Sequence, residues 1–308
     1  MTKHYYKLSF PSIPKMEQEI IDAIDEGNLL LFLGAGVSKL IGYPLWFELG
    51  KKLADRAVEK GLISLSEKEI LLGGGFTPMQ IVTILTKKFD DNLLGTGKDQ
   101  VIEELSINVD EDSKTALQLA EYLSAYNATI VTTNADESLE KQPPLIDRMV
   151  LKNFREYESN KFRKFSIIHL HGSISEPKGM VFTSEEYAKA YNIIDTFGNK
   201  LKDLFDYPWT ILFIGYGVAE FELLRYFLKF KDDKARRMFM LDGYLAKDRI
   251  KYDFDVEYYK SLGIYLLPYS REKDNYRALL KALRAWDKDV KTKTMAGSAA
   301  FVVTMVAL

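Results

Sequence analysis

A chain of 308 residues, 47% hydrophobic and 13% aromatic, is long enough for one large domain or two small ones with a proper core. A net charge of −2 supplies no basic field to draw in nucleic acid, and the absence of cysteine excludes disulfides, a cysteine nucleophile and any cysteine-ligated zinc. The opening MTKHYYKLSF lacks the apolar stretch of a signal peptide and no segment reaches membrane-spanning length, so a cytoplasmic protein without a membrane span is expected.

In chain order, residues 14–26 read as a helix that leads into Leu29–Leu33, a continuous apolar run of the kind buried on both faces of a parallel sheet. The run passes directly into Gly34-Ala35-Gly36, where the lack of a Cβ permits a tight turn or close approach of a ligand. Lys39 stands where a full dinucleotide fingerprint has its third glycine, so this stretch alone leaves a plain strand-to-helix turn and a phosphate-binding turn equally open. Helical spacing resumes at Leu45 and dominates to about residue 125, interrupted by GGGFTP at 73–78 and DDNLLGTGKD at 90–99.

The same punctuation then recurs. ATIV at 128–131 ends on Thr132, Thr133, Asn134 and Asp136. Ile167-Ile168 lead to His169, His171 and Gly172. WTILFIGYG at 209–217 ends on Gly215, Tyr216 and Gly217, RRMFMLDGY at 236–244 carries Asp242, and GIYLLPY at 263–269 reads as a sixth strand. Strands alternating with helical stretches predict an α/β fold with a parallel sheet, and ligands of such sheets sit beyond the carboxyl ends of the strands, where the polar residues of this chain gather.

There are three histidines, His4, His169 and His171. Residues 169 and 171 share one face of an extended chain, but no cysteine and no acidic residue at ligand spacing completes a metal site, so none is expected. His169 is expected to pack within its strand. His171, followed by Gly172 and Ser173, is expected exposed at the strand tip as a general base.

FLGAGVS at 32–38, TTNAD at 132–136, HLHGSI at 169–174 and FIGYGVAEFEL at 213–223 occur in the order and spacing of the sirtuin-like NAD-binding domains, and the chain resembles that family over roughly residues 25–270. VFTSEEY at 181–187 is similar to a segment of its NAD-hydrolysing branch in bacterial anti-phage defence. The resemblance implies a Rossmann-like parallel sheet flanked by helices, filling residues 1–290, with a helical insertion at roughly 46–125 after the first βα turn and a tail at 291–308. It implies an NAD+ glycohydrolase that releases nicotinamide and ADP-ribose, with NAD+ as substrate and no metal. It also implies a homo-oligomer or a defence-system partner protein, without direct nucleic-acid contact.

The roles implied are residue by residue. Gly34, Ala35 and Gly36, with the Ser38 hydroxyl, meet the pyrophosphate, and Gly215 and Tyr216 form the facing turn of the cofactor site. Asn134 and Asp242 serve the ribose hydroxyls, and Asp136 holds the nicotinamide amide. Asn134 and His171 carry the chemistry, one near the attacking water and one as base. The residues by themselves leave open that Asn134 caps a helix and that Asp136 is a first-turn acid. The family's deacylases carry a four-cysteine zinc ribbon, which a chain without cysteine cannot build. Ala135 replaces a tyrosine, and Glu220 an aspartate, of the defence branch. The absent ribbon argues against a protein deacylase or ADP-ribosyltransferase, and the intact polar set against a non-enzymatic sensor. Two segments are candidates for a gate, the polar segment 141–164 with Pro143-Pro144 and the helical region near 86–112 with its Gly-containing loop; the first, anchored at both strand tips, is the one expected to arch over the cleft as a lid.

Overall fold

Every residue of β1 (Leu29–Leu33) is apolar and every one is buried, so the strand is covered on both faces. Leu29, Leu31 and Leu33 face one core, shared with α1 (Gln18–Glu26), α2 (Ala35–Ile41), α7 (Ser113–Ser124) and α12 (Arg277–Val306). Leu30 and Phe32 face the other, shared with α8 (Ser184–Ala190), α9 (Thr196–Asp206), α10 (Phe221–Leu228) and α11 (Arg249–Ser261). This computed structural model describes residues 9–93, 95–106, 113–191, 196–217, 221–228, 237–275 and 277–306. His4 and Glu220 lie outside the described residues.

The remaining strands are β2 (Thr129–Thr132), β3 (Val150–Leu151), β4 (Ile167–His169), β5 (Thr210–Ile214), β6 (Met238–Tyr244) and β7 (Ile264–Ser270), and all pairings are parallel in the order β3-β4-β2-β1-β5-β6-β7. Leu33 pairs with both Thr132 and Ile214, and Thr132 pairs with His169. The loops after β1, β2, β4 and β5 therefore leave the sheet at one level. After β1 the chain builds outward through β2, and only later returns to β1's other side as β5. That reversal opens a crevice between β1 and β5 at their carboxyl ends, the place where open α/β sheets bind ligands.

Between α2 and β2 lie α3 (Trp46–Glu59), α4 (Leu65–Leu72), α5 (Pro78–Asn92) and α6 (Gly97–Ser106), which share a core of their own built on Leu53, Ile81, Leu85 and Phe89. Capping boxes set where α4 and α5 begin: Ser64 with Glu67, and Thr77 with Gln80. GGGFTP separates the two, with Gly73 closing α4 and Pro78 opening α5. α7 instead packs on the sheet through Leu119, Ala120 and Leu123. Residues expected as a separate tail continue α12 as far as Val306.

The expected lid at 141–164 is a strand crossover instead. Leu145 descends along one core, and the Arg148 guanidinium donates to the Ala128 carbonyl at 2.6 Å. Val150 and Leu151 then pair with β4 as the edge strand β3. Phe154 and Tyr157 descend through the opposite core, and the Thr129 hydroxyl donates to the Arg163 carbonyl at the amino end of β2. A polar segment can do this because it needs only a few apolar anchors to bury two short passes. Deleting residues 143–160 is therefore expected to lower soluble yield and melting temperature, as losing buried Phe154 alone costs about 3–5 kcal/mol. A deletion protein that melts like the parent in circular dichroism contradicts this placement.

Candidate active site at the strand-order reversal

The glycines after β1 and β5 are required by each other. The Gly34 amide donates to the Ile214 carbonyl at 3.0 Å and the Gly36 amide to the Gly215 carbonyl at 2.8 Å. A Cβ on Gly34 would stand 2.6 Å from the Gly215 oxygen, and one on Gly215, which has φ +62°, would stand 2.6 Å from the Val37 nitrogen. The two turns interlock backbone to backbone, and α2 starts at once from Gly34 as its N-cap. Above them lies a cleft of about 400 Å³, lined among others by Ala35, Gly36, Trp46, Gly215, Asp242 and Arg271. Tyr216 lines it too, its ring 4.6 Å from Phe32.

Asp242 is half-buried, and burial raises its carboxyl pKa against the pull of the Gly243 amide, which donates to it at 2.7 Å, and of Lys251 and Arg271. Arg271 was not among the residues the sequence pointed to. Its place immediately after β7, at a carboxyl strand end, is the signal that marks it. Its stem lies on Gly243, where a Cβ would come within 2.6 Å.

Asn134 caps no helix, and Asp136 sits in no first turn, because residues 133–137 have no regular structure. The Asn134 side-chain amide donates to the Gly34 carbonyl at 2.9 Å, which joins the β2 loop to the glycine turn. Its backbone amide donates to the Thr132 hydroxyl at 3.0 Å. Asp136 accepts the Ser38 hydroxyl, so Ser38 is turned into the protein beneath the cleft. Burial raises the Asp136 pKa, opposed by that hydroxyl. A recess of about 40 Å³ beside Asn134 and Asp136 is walled by Tyr43, Trp46, Leu105 and Phe182.

Both strand-end histidines are buried, each 1% exposed, so the expectation of an exposed His171 is not met. His171 Nε2 lies 2.5 Å from the Tyr191 hydroxyl and Nδ1 3.2 Å from that of Tyr187. α8 thus stands over it, and burial lowers its pKa to about 3. His169 lies inside the site: Nδ1 is 2.9 Å from the Asn134 carbonyl and Nε2 2.8 Å from Glu140 Oε1.

Glu137, 2% exposed, ties the β2 loop to the β4 loop. It accepts the amide and hydroxyl of Ser175 and pairs with Lys152 at 3.1 Å. Burial works to raise its pKa, but the Ser175, Ser173 and Lys152 hydrogen bonds bring it down to about 2. A carboxylate with a depressed folded pKa stabilises above its unfolded value and loses that contribution as pH falls through the folded one. Glu137→Gln is therefore expected to lower the melting temperature at pH 7, with the difference from the parent closing as pH falls from about 4.5 toward 2. A difference that stays constant over that range contradicts the assignment. Among the described residues no group of three or more metal-ligating side chains converges.

The family model of the SIR2-like domain matches residues 128–264. That span runs from β2 to the first residue of β7 and includes Asn134, Asp136, both strand-end histidines, Gly215 and Asp242. The chain is 28% identical to an NAD(+) hydrolase ThsA of Enterococcus faecium over 177 residues, 54% of this chain and 32% of that protein. It is 23% identical to an NAD(+) hydrolase ThsA of Bacillus cereus (strain MSX-D12) over 308 residues, 94% of this chain and 60% of that protein. The chain thus spans less than two thirds of the length of either relative.

Proposed function

We propose that this chain, which carries a SIR2-like domain across residues 128–264, cleaves NAD+ to nicotinamide and ADP-ribose as an NAD-depleting effector of anti-phage defence. The observation that carries the reading is the hydrogen bond from the Asn134 amide to Gly34. It places a polar side chain against an interlocked glycine turn in the crevice at the strand-order reversal, where a dinucleotide fits. Two relatives bear the name of that activity, which supports the same conclusion.

Each part of NAD+ has a match. The Cβ-free faces of Gly36 and Gly215, beside Ala35, let the pyrophosphate approach the backbone, with Arg271 as a cation in the same cleft. Asp242, at the end of β6, accepts ribose hydroxyls. Asn134 orients the nicotinamide ribose and the attacking water. Asp136 takes the nicotinamide carboxamide. Loss of nicotinamide leaves positive charge on the ribose, and neutral His171 accepts the proton of the water that attacks there. No step calls for a metal.

The chain as it stands is a slow form of this enzyme. The recess at Asp136 has room for about one water, not an aromatic ring. His171 is held by Tyr187 and Tyr191. Displacement of α8, by self-association or by a partner protein, frees the histidine. Incubation with NAD+, with and without an acyl-lysine peptide and with and without EDTA, tests the reaction class. Equal nicotinamide release in all four arms is expected. Release only with the peptide contradicts hydrolysis in favour of deacylation, binding without release contradicts an enzyme, and loss in EDTA restored by zinc contradicts the metal-free mechanism.

A further inference from the structure

The loop between β2 and the crossover is held at three consecutive points. Asn134 is fixed through its side chain by Gly34 and through its carbonyl by His169. The Ala135 carbonyl accepts the Ile174 amide at 2.9 Å. Asp136 accepts the Ser38 hydroxyl. Glu140, six residues beyond Asn134, turns back onto the far side of the same imidazole, so the two ends of the loop bracket one ring. His169 pairs with Thr132, and the next pair back on the same face, Ile130 with Ile167, is apolar and buried. A leucine at 169 would fill such a position without the cost of burying an ion pair. We infer that His169, held by Glu140, is a positioning residue for Asn134: its Nδ1–H fixes the Asn134 carbonyl, and through that peptide it aims the Asn134 side chain at the cleft. The inference rests on the NAD+-cleavage reading.

The protonation pattern follows from the partners. A carbonyl oxygen only accepts, so Nδ1 carries a proton. Nε2 faces a carboxylate, so it carries one as well. The imidazolium form is supported by its surroundings: burial opposes the charge, but the Glu140 hydrogen bond and charge, the Asn134 carbonyl and Asp136 raise the His169 pKa above its ordinary value. Tyr43, which faces Asp136, Glu140 and Glu137, is hydrogen-bonded to Ser138 and pushed up to about 12 by burial and then Asp136, so it stays neutral. When His169 loses a proton as pH rises, the one that remains sits on Nε2 toward the Glu140 carboxylate. The Nδ1 lone pair then faces the Asn134 carbonyl, and the clamp becomes repulsive.

The test compares two variants with the parent. His169→Leu keeps the bulk but removes the donor. His169→Asn places a non-titrating amide N–H where Nδ1–H stood. His169→Leu is expected to lower kcat about 10²-fold, as a misplacement of about 1 Å does, with KM changed less than about threefold. His169→Asn is expected to recover at least about tenfold of that loss, and to lack the alkaline fall in kcat expected of the parent. His169→Leu with parental kcat, or His169→Asn as slow as His169→Leu, overturns the inference. The imidazole ¹⁵N spectrum of the parent, with only three histidines to assign, is expected to show both His169 nitrogens protonated at pH 7. An unprotonated Nδ1 overturns the clamp whether or not the variants fold. A parent that leaves NAD+ intact defeats the cleavage reading instead, and the spectrum still decides the clamp.

Discussion

Asn134→Ala is expected to reduce nicotinamide release by about 10²–10³-fold, the usual effect of removing one preorganised polar group from a reacting centre. Stability changes far less. Among the described residues the side chain makes one hydrogen bond, to the Gly34 carbonyl, and losing it costs about 1 kcal/mol. For a chain of this size that lowers the melting temperature by only a few degrees. The separation is the point of the experiment. The residue is half-buried, it belongs to no helix or strand, and the sheet is complete without it. A variant that loses activity only in proportion to its loss of folded protein contradicts the role given to Asn134.

His171→Ala is expected to behave differently, losing both activity and stability. Removal of a general base costs about 10²–10⁴-fold. The imidazole is also a structural element here, because the Tyr187 and Tyr191 hydroxyls bond to it in a buried site. Losing each of these hydrogen bonds costs about 0.5–1.5 kcal/mol. The pH dependence identifies the source of that loss. Burial lowers the folded pKa to about 3, against an unfolded value near 6.5, so the unfolded chain takes up the proton first as pH falls. The stability that neutral His171 contributes is complete above about pH 6.5 and declines from there toward pH 3. Melting curves of parent and variant should therefore converge on acidification through that window. A gap that widens instead contradicts a buried neutral imidazole. The loss of activity at pH 7, where the imidazole is neutral, is independent of that convergence.

The sheet was legible because its strands are long apolar runs that end on glycine or on polar clusters. Leu29–Leu33 and Thr210–Ile214 announce a two-faced burial that only a parallel sheet between helix layers provides. β3 was not legible: two residues in a polar segment carry no period, and only pairing with β4 makes them a strand. The same segment reads as a lid from connectivity, yet its scattered apolar residues, Leu145, Phe154 and Tyr157, are what tie it to the two cores. The site residues were legible as residue types gathered at strand ends, but not in their orientation. Ser38 is one turn into α2, which turns its hydroxyl under the cleft toward Asp136. His171 lies past the end of β4, where an exposed tip is the natural expectation, but the later helix α8 folds back and covers it. His169 reads as packing and does pack, but its two polar contacts depend on a loop and a turn that no local pattern specifies.

The central claim is that this cleft breaks the bond between nicotinamide and ribose in NAD+. Its most direct test is a long incubation of the purified chain with NAD+, followed by chromatographic measurement of both products beside an Asn134→Ala control. The account predicts nicotinamide and ADP-ribose appearing in equal amounts, slowly, and only with the parent chain. NAD+ that remains intact, or that is lost at the same rate with parent and control, contradicts it.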